Sequence, residues 1–204
     1  MRRNQRLIAI EAIDGGGKSV QAALLQIGLE RAGYSATITK AKNPGQNGTV
    51  KAFAETFDIK SDSMAFMFLY QALHRQQYER TMAAFAEGKV VIADRWDTSF
   101  FVYHGITGPL RRHSRMLGGL NRLAFEGLQP DLRFFIDVPV SVALERRIAR
   151  GDIIASLDEE AQFYERVSAE YKRLFAGFPH HRIDGMLPIE DISHQMLSVA
   201  LEHI

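Results

Sequence analysis

The sequence of 204 residues predicts an α/β protein with three layers, in which helices flank a five-stranded parallel sheet on both faces. Short β-type runs alternate with long helical runs along the chain, an order typical of βαβ units. Two candidate strands, VVIAD and RFFID, are apolar at successive positions, as expected for parallel strands buried on both faces. Because no repeat or linker interrupts the alternation, we predict a single domain over residues 1–204.

Local patterns predict the position of each element. The strands are predicted at Leu7–Glu11, Ala36–Lys40, Lys89–Asp94, Leu132–Asp137 and His181–Asp184. Two long helices are predicted at Lys18–Ala32 and Met64–Glu87. Each ends directly before a glycine, Gly33 or Gly88, where a left-handed backbone commonly closes a helix.

The last third of the chain predicts two amphipathic helices. Their apolar residues recur at helical spacing: Phe163, Val167, Tyr171 and Leu174 in the first, and Ile189, Ile192, Met196 and Val199 in the second. We interpret the aromatic stripe as core. The stretch 105–119 combines glycine, proline and arginine without clear periodicity, and we expect a surface excursion near the carboxyl edge of the sheet.

The composition excludes several classes of protein. The chain is 46% hydrophobic and 24% charged, and its 25 basic and 24 acidic residues give a net charge of +1. This balance argues against a nucleic-acid coat or a polybasic membrane binder. The absence of cysteine excludes disulfides and thiolate chemistry. The longest apolar run, Met64 to Tyr70, is too short to span a membrane, and no signal-peptide pattern opens the chain. We therefore expect a cytoplasmic protein.

The segment AIDGGGKSVQ after the first strand is typical of a phosphate-binding loop. Glycines let backbone N–H groups surround phosphate oxygens, Lys18 can reach the β- and γ-phosphates of ATP, and Ser19 can bind Mg²⁺. The predicted nucleotide-binding residues are Gly15, Gly16, Gly17, Lys18, Ser19 and Val20. The strict pattern has glycine where this chain has Ala12, which we expect to weaken tight closure of the loop. The loop predicts a P-loop NTPase-type fold; a glycine-rich turn without a ligand is the alternative.

The third strand ends in a second candidate site. Ligands of open α/β sheets lie beyond the carboxyl ends of the strands, so Asp94 and Arg95 should face the phosphate loop. An aspartate there can bind Mg²⁺ together with Ser19, or accept a proton from an attacking oxygen, and an arginine can clamp a phosphate. The alternative is a solvated ion pair at a strand end.

Four blocks of the chain together resemble a known family. LIAIEAIDGGGKSVQ, VVIADRWDTSFFVYHG, PDLRFFIDVPVSVALERRIARGD and FYERVSAEYKRLF, in this order, resemble the thymidylate kinases, a family of nucleoside monophosphate kinases. The resemblance covers most of residues 7–184. It implies transfer of the γ-phosphoryl group of ATP to a deoxynucleoside monophosphate, with dTMP giving dTDP as the leading case. It also implies small nucleotides as ligands, no nucleic acid or membrane partner, and a homodimer.

The resemblance assigns roles to individual residues. Asp14 would lie between donor and acceptor, Asp94 would serve metal or water, and Arg95 would bind the acceptor phosphate. Ser99 and Tyr103 match positions that line the acceptor site. The catalytic set is then Lys18, Asp94, Arg95 and Arg150.

A lid over ATP corresponds to residues 146–158. Arg146 is then expected at ATP, and Arg150 at the charge of the transferred phosphoryl group, with Arg147 as a further candidate. The alternative is that ALERRIAR is a helix with an ordinary basic surface.

The chain departs from the family mostly on the acceptor side. The family's Arg-Glu-Pro-Gly-Gly segment is here Lys42-Asn43-Pro44-Gly45-Gln46, so Lys42 offers a point charge in place of a guanidinium. His104 stands where the family often has glutamine.

In the family an aromatic residue that stacks on the base lies four residues before an arginine that binds it. Counting back from Arg75 gives Gln71, whose amide could recast base preference. A shift by one residue would give the stacking role to Tyr70. A third possibility is that this helix is simply buried.

Two other functions remain open from the sequence. A deoxynucleoside kinase of related fold would phosphorylate a free 5′-hydroxyl, with an acidic residue near Asp94 as base. A non-catalytic nucleotide-binding module would keep the fold and lose the chemistry, which the departures at Ala12, Asn43 and Gln71 would allow.

Overall fold

The computed structural model describes residues 6–42, 52–53, 55–57, 64–106 and 114–204. Five parallel strands form one sheet in the order β2-β3-β1-β4-β5, which confirms the predicted fold class. The strands are β1 (Leu7–Glu11), β2 (Ala36–Thr39), β3 (Val90–Asp94), β4 (Leu132–Asp137) and β5 (His181–Asp184). All five agree with the sequence prediction to within one residue at either end.

Seven helices of the described ranges complete the fold. They are α1 (Lys18–Arg31), α2 (Met64–Ala86), α3 (Asp97–Ile106), α4 (Ser114–Phe125), α5 (Val140–Ala149), α6 (Leu157–Phe175) and α7 (Ile189–His203). Gly33 and Gly88 have φ angles of 91° and 73°, so both predicted helix-ending glycines are confirmed.

The helices lie in two layers because the strands are apolar on both faces. Along β1, Ile8 and Ile10 face α1 and α7, whereas Leu7 and Ala9 face the layer that contains α2 and α4. All five residues of β1 are buried. A strand of this kind must lie in the centre of the sheet, and β1 does, between β3 and β4.

The strand order brings the predicted phosphate loop next to the end of β3. In the register of the sheet Ile10 of β1 pairs with Asp94 of β3, and Glu11 pairs with Phe135 of β4. The loop that follows Glu11 therefore begins beside Asp94 and Arg95. This is the edge at which ligands of doubly wound sheets bind.

Two charged residues of the PDLRFFID block stabilise the fold. The Asp131 carboxylate accepts a hydrogen bond from the backbone N–H of Leu7 at 2.8 Å, which fixes the start of β1. The buried Arg133 guanidinium donates to both carboxylate oxygens of Asp97, at 2.5 and 2.9 Å. A paired arginine of this kind ties β4 to the start of α3.

Part of the stretch 105–119 is not a surface excursion. Residues 107–113 lie outside the described ranges, but α4 begins at Ser114 and packs on the core. Leu117 is buried in one cluster with Met67 of α2 and Phe100 of α3. The prediction failed here because the stretch ends at residue 119, whereas the buried stripe of α4 continues through Asn121, Ala124 and Phe125, so its helical period shows only over the whole helix.

The helices of the described ranges include none that is long and apolar enough to cross a membrane.

Candidate active site

The phosphate loop depends on backbone geometry that only glycine adopts easily. Gly15 and Gly17 have φ angles of 89° and 85°. A Cβ atom on Gly15 would lie 2.1 Å from the carbonyl oxygen of Ala143 in α5, whereas a Cβ on Gly17 would meet no atom of the described residues within 4 Å. The loop is thus pressed against α5 at Gly15 and open at Gly17.

Ala12 does not prevent the loop from closing. It is fully buried, and the backbone N–H of Gly16 donates to the carbonyl oxygen of Ile13 at 3.1 Å. The Ala12 methyl group occupies the space beside Gly16, where an added Cβ would lie only 2.7 Å from it. The loop closes around Ala12 because Gly16 has no side chain.

Lys18 lies inside the loop, at the N-terminus of α1. Its Nζ donates to the carbonyl oxygen of Ile13 at 2.8 Å and lies 3.7 Å from Asp14 Oδ1. Burial, together with the charge of Arg95, lowers the pKa of Lys18 to about 8. The residue preceding it, Gly17, is the N-cap and has no side chain to accept from the first turn, so these backbone N–H groups can bind phosphate.

Ser19 and Asp94 form a pair that fits a magnesium ion. Ser19 Oγ donates to Asp94 Oδ2 at 2.6 Å, and Lys40 Nζ lies 3.7 Å from the same carboxylate oxygen. Mg²⁺ prefers hard oxygen ligands and is usually held by one or two carboxylates plus substrate phosphates. In the described ranges no group of three or more His, Cys, Asp or Glu residues could hold a metal, so phosphate oxygens and water would complete the ligand set.

Arg95 is the centre of the site. Its backbone has a φ of 72°, unusual for a residue other than glycine, and Gln77 Nε2 donates to its carbonyl oxygen at 2.9 Å. The guanidinium donates to four side chains: Ser99 Oγ at 3.0 Å, Tyr171 Oη at 2.8 Å, Asp14 Oδ1 at 2.5 Å and Tyr103 Oη at 3.1 Å. The partners hold the guanidinium in one orientation before any ligand arrives.

Glu11 supports this network and was missed by the sequence analysis. It is fully buried and accepts hydrogen bonds from the backbone N–H of Trp96 at 2.8 Å, from Ser99 Oγ, and from Tyr171 Oη at 3.2 Å. Burial raises its pKa despite the opposing charge of Arg95. The available signal was a carboxylate at the end of the apolar strand LIAIE, where an unpaired charge would be costly.

Asp14 carries its negative charge throughout the usual pH range. Tyr164 Oη donates to it at 2.9 Å, in addition to the bond from Arg95. Burial would raise the pKa of Asp14, but the charges of Arg95 and Lys18 outweigh burial and lower it. The carboxylate lies between the phosphate loop and Arg95.

A cavity of about 550 Å³, here called the central cavity, joins these groups. Its phosphate end contains the loop and Arg95, and its aromatic end contains Phe66, Tyr70, His74, Phe100 and His104. The predicted site residues that line it are Asp14, Gly15, Gly17, Lys18, Ser19, Val20, Lys42, Tyr70, Asp94, Arg95, Ser99, Tyr103 and Arg150.

Gln71 and Arg75 are not among the described residues that line the central cavity. Gln71 is buried, and neither polar atom of its amide has a hydrogen-bond partner within the described ranges. Arg75 is exposed and pairs with Glu126 at 2.6 Å and Glu79 at 3.0 Å. Each residue of a helix is turned by about 100° from the one before, so a count that is off by one leaves the face that lines the cavity.

That face of α2 carries Tyr70 and His74, which keep the four-residue spacing expected of the acceptor-base helix. Lys42 Nζ lies 5.3 Å from the centre of the Tyr70 ring, a cation–π distance. Asn43 and the rest of the altered segment, residues 43–46, lie outside the described ranges.

The three arginines of the predicted lid have different surroundings. Arg147 is buried and pairs with Asp152 at 3.0 Å and Glu160 at 2.9 Å, so its role is structural. Arg146 Nη2 donates to the carbonyl oxygen of Gly185 at 3.0 Å, beyond the end of β5. Arg150 pairs with Asp152 at 2.7 Å and lines the central cavity.

Two buried histidines line the aromatic end, and neither was predicted to bind substrate. Burial, together with the nearby charge of His104 when protonated, lowers the pKa of His74 to about 3. Burial lowers the pKa of His104 to about 4. Both imidazoles are therefore neutral near pH 7.

Comparison with known proteins agrees with the resemblance seen in the sequence. A family model described as thymidylate kinase matches residues 10–196. A thymidylate kinase of Caldanaerobacter subterraneus subsp. tengcongensis is 30% identical over 205 residues, covering 97% of this chain and 95% of its own. One of Thermomicrobium roseum is 32% identical over 202 residues (96% and 94%), and one of Pelobacter propionicus is 31% identical over 209 residues (96% and 94%).

The contact between the phosphate loop and α5 gives a first prediction. Gly15→Ala and Gly17→Ala both place a side chain on a left-handed backbone, which costs about 1 kcal/mol. Gly15→Ala also forces Cβ against the Ala143 carbonyl, and we expect it to lower the free energy of unfolding by roughly 2 kcal/mol more than Gly17→Ala. Urea unfolding of both variants measures the difference, and equal losses would contradict this geometry.

The buried histidines give a second prediction. An unfolded chain binds a proton at each histidine near pH 6.5, whereas folded His74 does not until about pH 3, so stability falls as pH drops below 6.5. For His74 alone the loss between pH 7 and pH 5 is about 2 kcal/mol. We expect His74→Phe to remove this part of the pH dependence in urea unfolding.

His194→Phe is the matched control for that measurement, because His194 is exposed on α7. The raised pKa of Glu11 changes the free energy of unfolding in the opposite direction over part of the same pH range. Both histidine variants retain Glu11, so its effect cancels when their pH dependences are compared. An unchanged pH dependence in His74→Phe would show that His74 is not held neutral.

Proposed function

Because this chain belongs to the thymidylate kinase family, a family of nucleoside monophosphate kinases, we propose that it transfers the γ-phosphoryl group of ATP to dTMP, giving dTDP. The observation that carries the proposal is the central cavity, which joins a phosphate loop at one end to an aromatic chamber at the other. Phosphoryl transfer requires a protein mainly to align two phosphates and to neutralise charge. The residues at the phosphate end of the cavity can do both.

The donor phosphates bind at the loop and the N-terminus of α1. The backbone N–H groups after Gly17 and the ammonium group of Lys18 supply positive charge to the β- and γ-phosphates. Lys18 is held within the loop by the Ile13 carbonyl, so only a small movement brings Nζ to a phosphate oxygen. With a pKa of about 8 Lys18 is mostly protonated at pH 7, and bound phosphates favour that form further.

The acceptor phosphate binds at Arg95, and the deoxynucleoside extends toward the aromatic end. Asp14, Ser99, Tyr103 and Tyr171 fix the guanidinium, so little reorganisation accompanies binding. Asp14 lies where the two phosphates approach each other, and its charge keeps Arg95 and Lys18 aimed at that point. Ser99 and Tyr103 bind the acceptor at its sugar-phosphate side.

Ser19 and Asp94 hold Mg²⁺ in this proposal. The ion would neutralise charge on the phosphates during transfer. Asp94 lies at the end of β3, beside Ile10 in the register of the sheet, and Lys40 Nζ is 3.7 Å from its carboxylate.

Residues 146–158 act as a lid over ATP. Arg150 contributes charge at the transferred phosphoryl group, because it lines the central cavity and can exchange Asp152 for phosphate. Arg146 contacts the nucleoside part of ATP near Gly185. Ile153 is 96% exposed and Leu157 is 53% exposed, which supports a segment that gains contacts when it closes.

A homodimer in the cytoplasm completes the proposal. Phe68 and Met82 of α2 are 53% and 43% exposed, and Leu123 of α4 is 73% exposed. Phe68 and Met82 are four helical turns apart on similar sides of α2, and α2 packs against α4. Large apolar groups on neighbouring helices are typical of a protein interface.

The function is tested by ADP release from Mg-ATP with dTMP, thymidine and a panel of other monophosphates. We expect turnover with dTMP and none with thymidine. Lys18→Ala should lower kcat/KM for dTMP about 100-fold or more, because a charge at the transferring phosphate is lost.

Lys172→Ala is the control, since Lys172 is exposed on α6 and pairs only with Asp137 among the described residues. Preference for thymidine would indicate a deoxynucleoside kinase. ATP binding by calorimetry without turnover of any acceptor would indicate a nucleotide-binding module, and unchanged activity in Lys18→Ala would overturn the assignment of the loop.

The oligomer is tested by light scattering of the purified chain. We expect twice the mass of one chain, and the mass of a single chain for Phe68→Glu combined with Leu123→Glu, because buried carboxylates would oppose association. Ile153→Glu places a single carboxylate at another exposed apolar position, on the lid, and should leave the mass unchanged. A monomeric wild-type protein at micromolar concentration would refute the homodimer.

A further inference from the structure

His74 lies at the aromatic end of the central cavity and has a fixed orientation. Its ring packs edge-on against Phe100 of α3, with centres 5.6 Å apart and planes at 88°, and lies 5.3 Å from Phe125 of α4. The residue is only 5% exposed, yet it lines the cavity. Packing from two helices therefore determines which edge of the imidazole meets a ligand.

The hydrogen bonding of His74 distinguishes its two ring nitrogens. Nδ1 is buried and has no partner among the described residues. A buried N–H group without an acceptor is rarer and costlier than a buried lone pair, so the proton of the neutral ring belongs on Nε2. His74 then presents Nε2–H as a donor toward the cavity.

The surroundings of His74 favour an uncharged reader of the base. The neighbouring rings are uncharged: the centre of the Tyr70 ring lies 6.2 Å from that of His74 and 5.6 Å from that of His104. The carboxylates that line the cavity in the described ranges, Asp14 and Asp94, are engaged at the phosphate end. A guanidinium at position 74 would lack a counter-ion there, whereas a neutral imidazole needs none.

We propose that His74 is the specificity-determining residue for the acceptor base, and that its Nε2–H donates a hydrogen bond to the carbonyl oxygen at position 4 of the pyrimidine. This inference rests on the proposed function and deepens it. Tyr70, one helical turn earlier, provides a ring for the same base. The chain thus uses a neutral donor four residues after the aromatic residue, where the resemblance leads one to expect an arginine.

The Nε2–H donor explains how the site would distinguish thymine and uracil, which carry a carbonyl group at position 4, from cytosine, which carries an amine there. The exocyclic amine of cytosine would place a donor against the Nε2–H donor. The other tautomer of His74 would accept from the amine, but it would leave an N–H at buried Nδ1 without an acceptor. Thymine and uracil should therefore be accepted and cytosine disfavoured.

Arg75 is the alternative residue for binding the base, but its position in the structure argues against this role. Its guanidinium points to the exterior and is held by Glu79 and Glu126, with Tyr78 donating to Glu126 at 2.8 Å. To reach the central cavity it would have to leave both carboxylates and turn to another face of α2.

The test compares kcat/KM for dTMP, dUMP and dCMP, which differ only in the base. For the wild-type chain we expect dTMP to exceed dCMP by about 100-fold, since an unpaired donor is left at a buried site. His74→Phe keeps the ring volume and removes the N–H. We expect it to lower the value for dTMP at least tenfold, to leave dCMP nearly unchanged, and to bring the ratio of the two below about ten.

Matched variants separate base reading from general damage. His194→Phe makes the same substitution at an exposed position of α7 and should leave the ratio at its wild-type value. Arg75→Gln tests the rival position, and the ratio should again be retained. His74→Leu offers a second apolar replacement in case the phenyl ring disturbs packing between α3 and α4, and it should lower the ratio in the same way.

The outcomes separate this inference from the proposed function. A wild-type chain that phosphorylates dCMP within about threefold of dTMP overturns the role of His74 while the kinase activity stands. A ratio that persists in both His74 variants, or that collapses in Arg75→Gln alone, also overturns it. Absence of ADP release with every monophosphate overturns the proposed function and this inference together.

Discussion

The structure of the site depends on the partly buried guanidinium of Arg95 and the carboxylates that compensate its charge. Burial of an arginine is costly unless its donors are paired, and here Asp14 accepts directly while Glu11 acts through Ser99 and Tyr171. Burial alone would lower the pKa of the guanidinium, but these neighbours keep it well above its ordinary value. Phosphoryl transfer needs such a charge, and the fold prepares it before the substrate binds.

This network also explains why the edge of the sheet is built as it is. Glu11 ends β1 and accepts from the backbone of Trp96, so one side chain joins the start of the phosphate loop to the turn after β3. That turn contains the left-handed backbone of Arg95, and Gln77 of α2 binds its carbonyl oxygen. Removal of Ser99 or Tyr171 would take a hydrogen-bond donor from the buried carboxylate of Glu11, so we expect these groups to act together.

The two ends of the central cavity differ in the chemistry of the residues that line them. Lys18, Arg95 and Arg150 line its phosphate end, and we propose that they face the phosphates there. The other end consists of aromatic rings and two neutral histidines, and selection there depends on hydrogen-bond direction and shape. A charge placed among these rings would be poorly solvated, so the separation follows from the physics of burial.

The sequence by itself determined the fold class, the five strands, the long helices and the phosphate loop, because hydrophobic period and glycine placement are local signals. It also indicated Lys18 and Ser19, which follow the glycines of the loop, and Asp94 and Arg95, which lie at the end of a strand. Tertiary structure alone decided that Glu11 supports Arg95, that Ala12 fits beside Gly16, and that Tyr70 and His74 line the cavity while Arg75 lies outside. These outcomes depend on the rotation of α2 and on contacts between residues distant in sequence. A shift of one residue along α2 changes which face of the helix lines the cavity, and the spacing of residues in the sequence does not show which face that is.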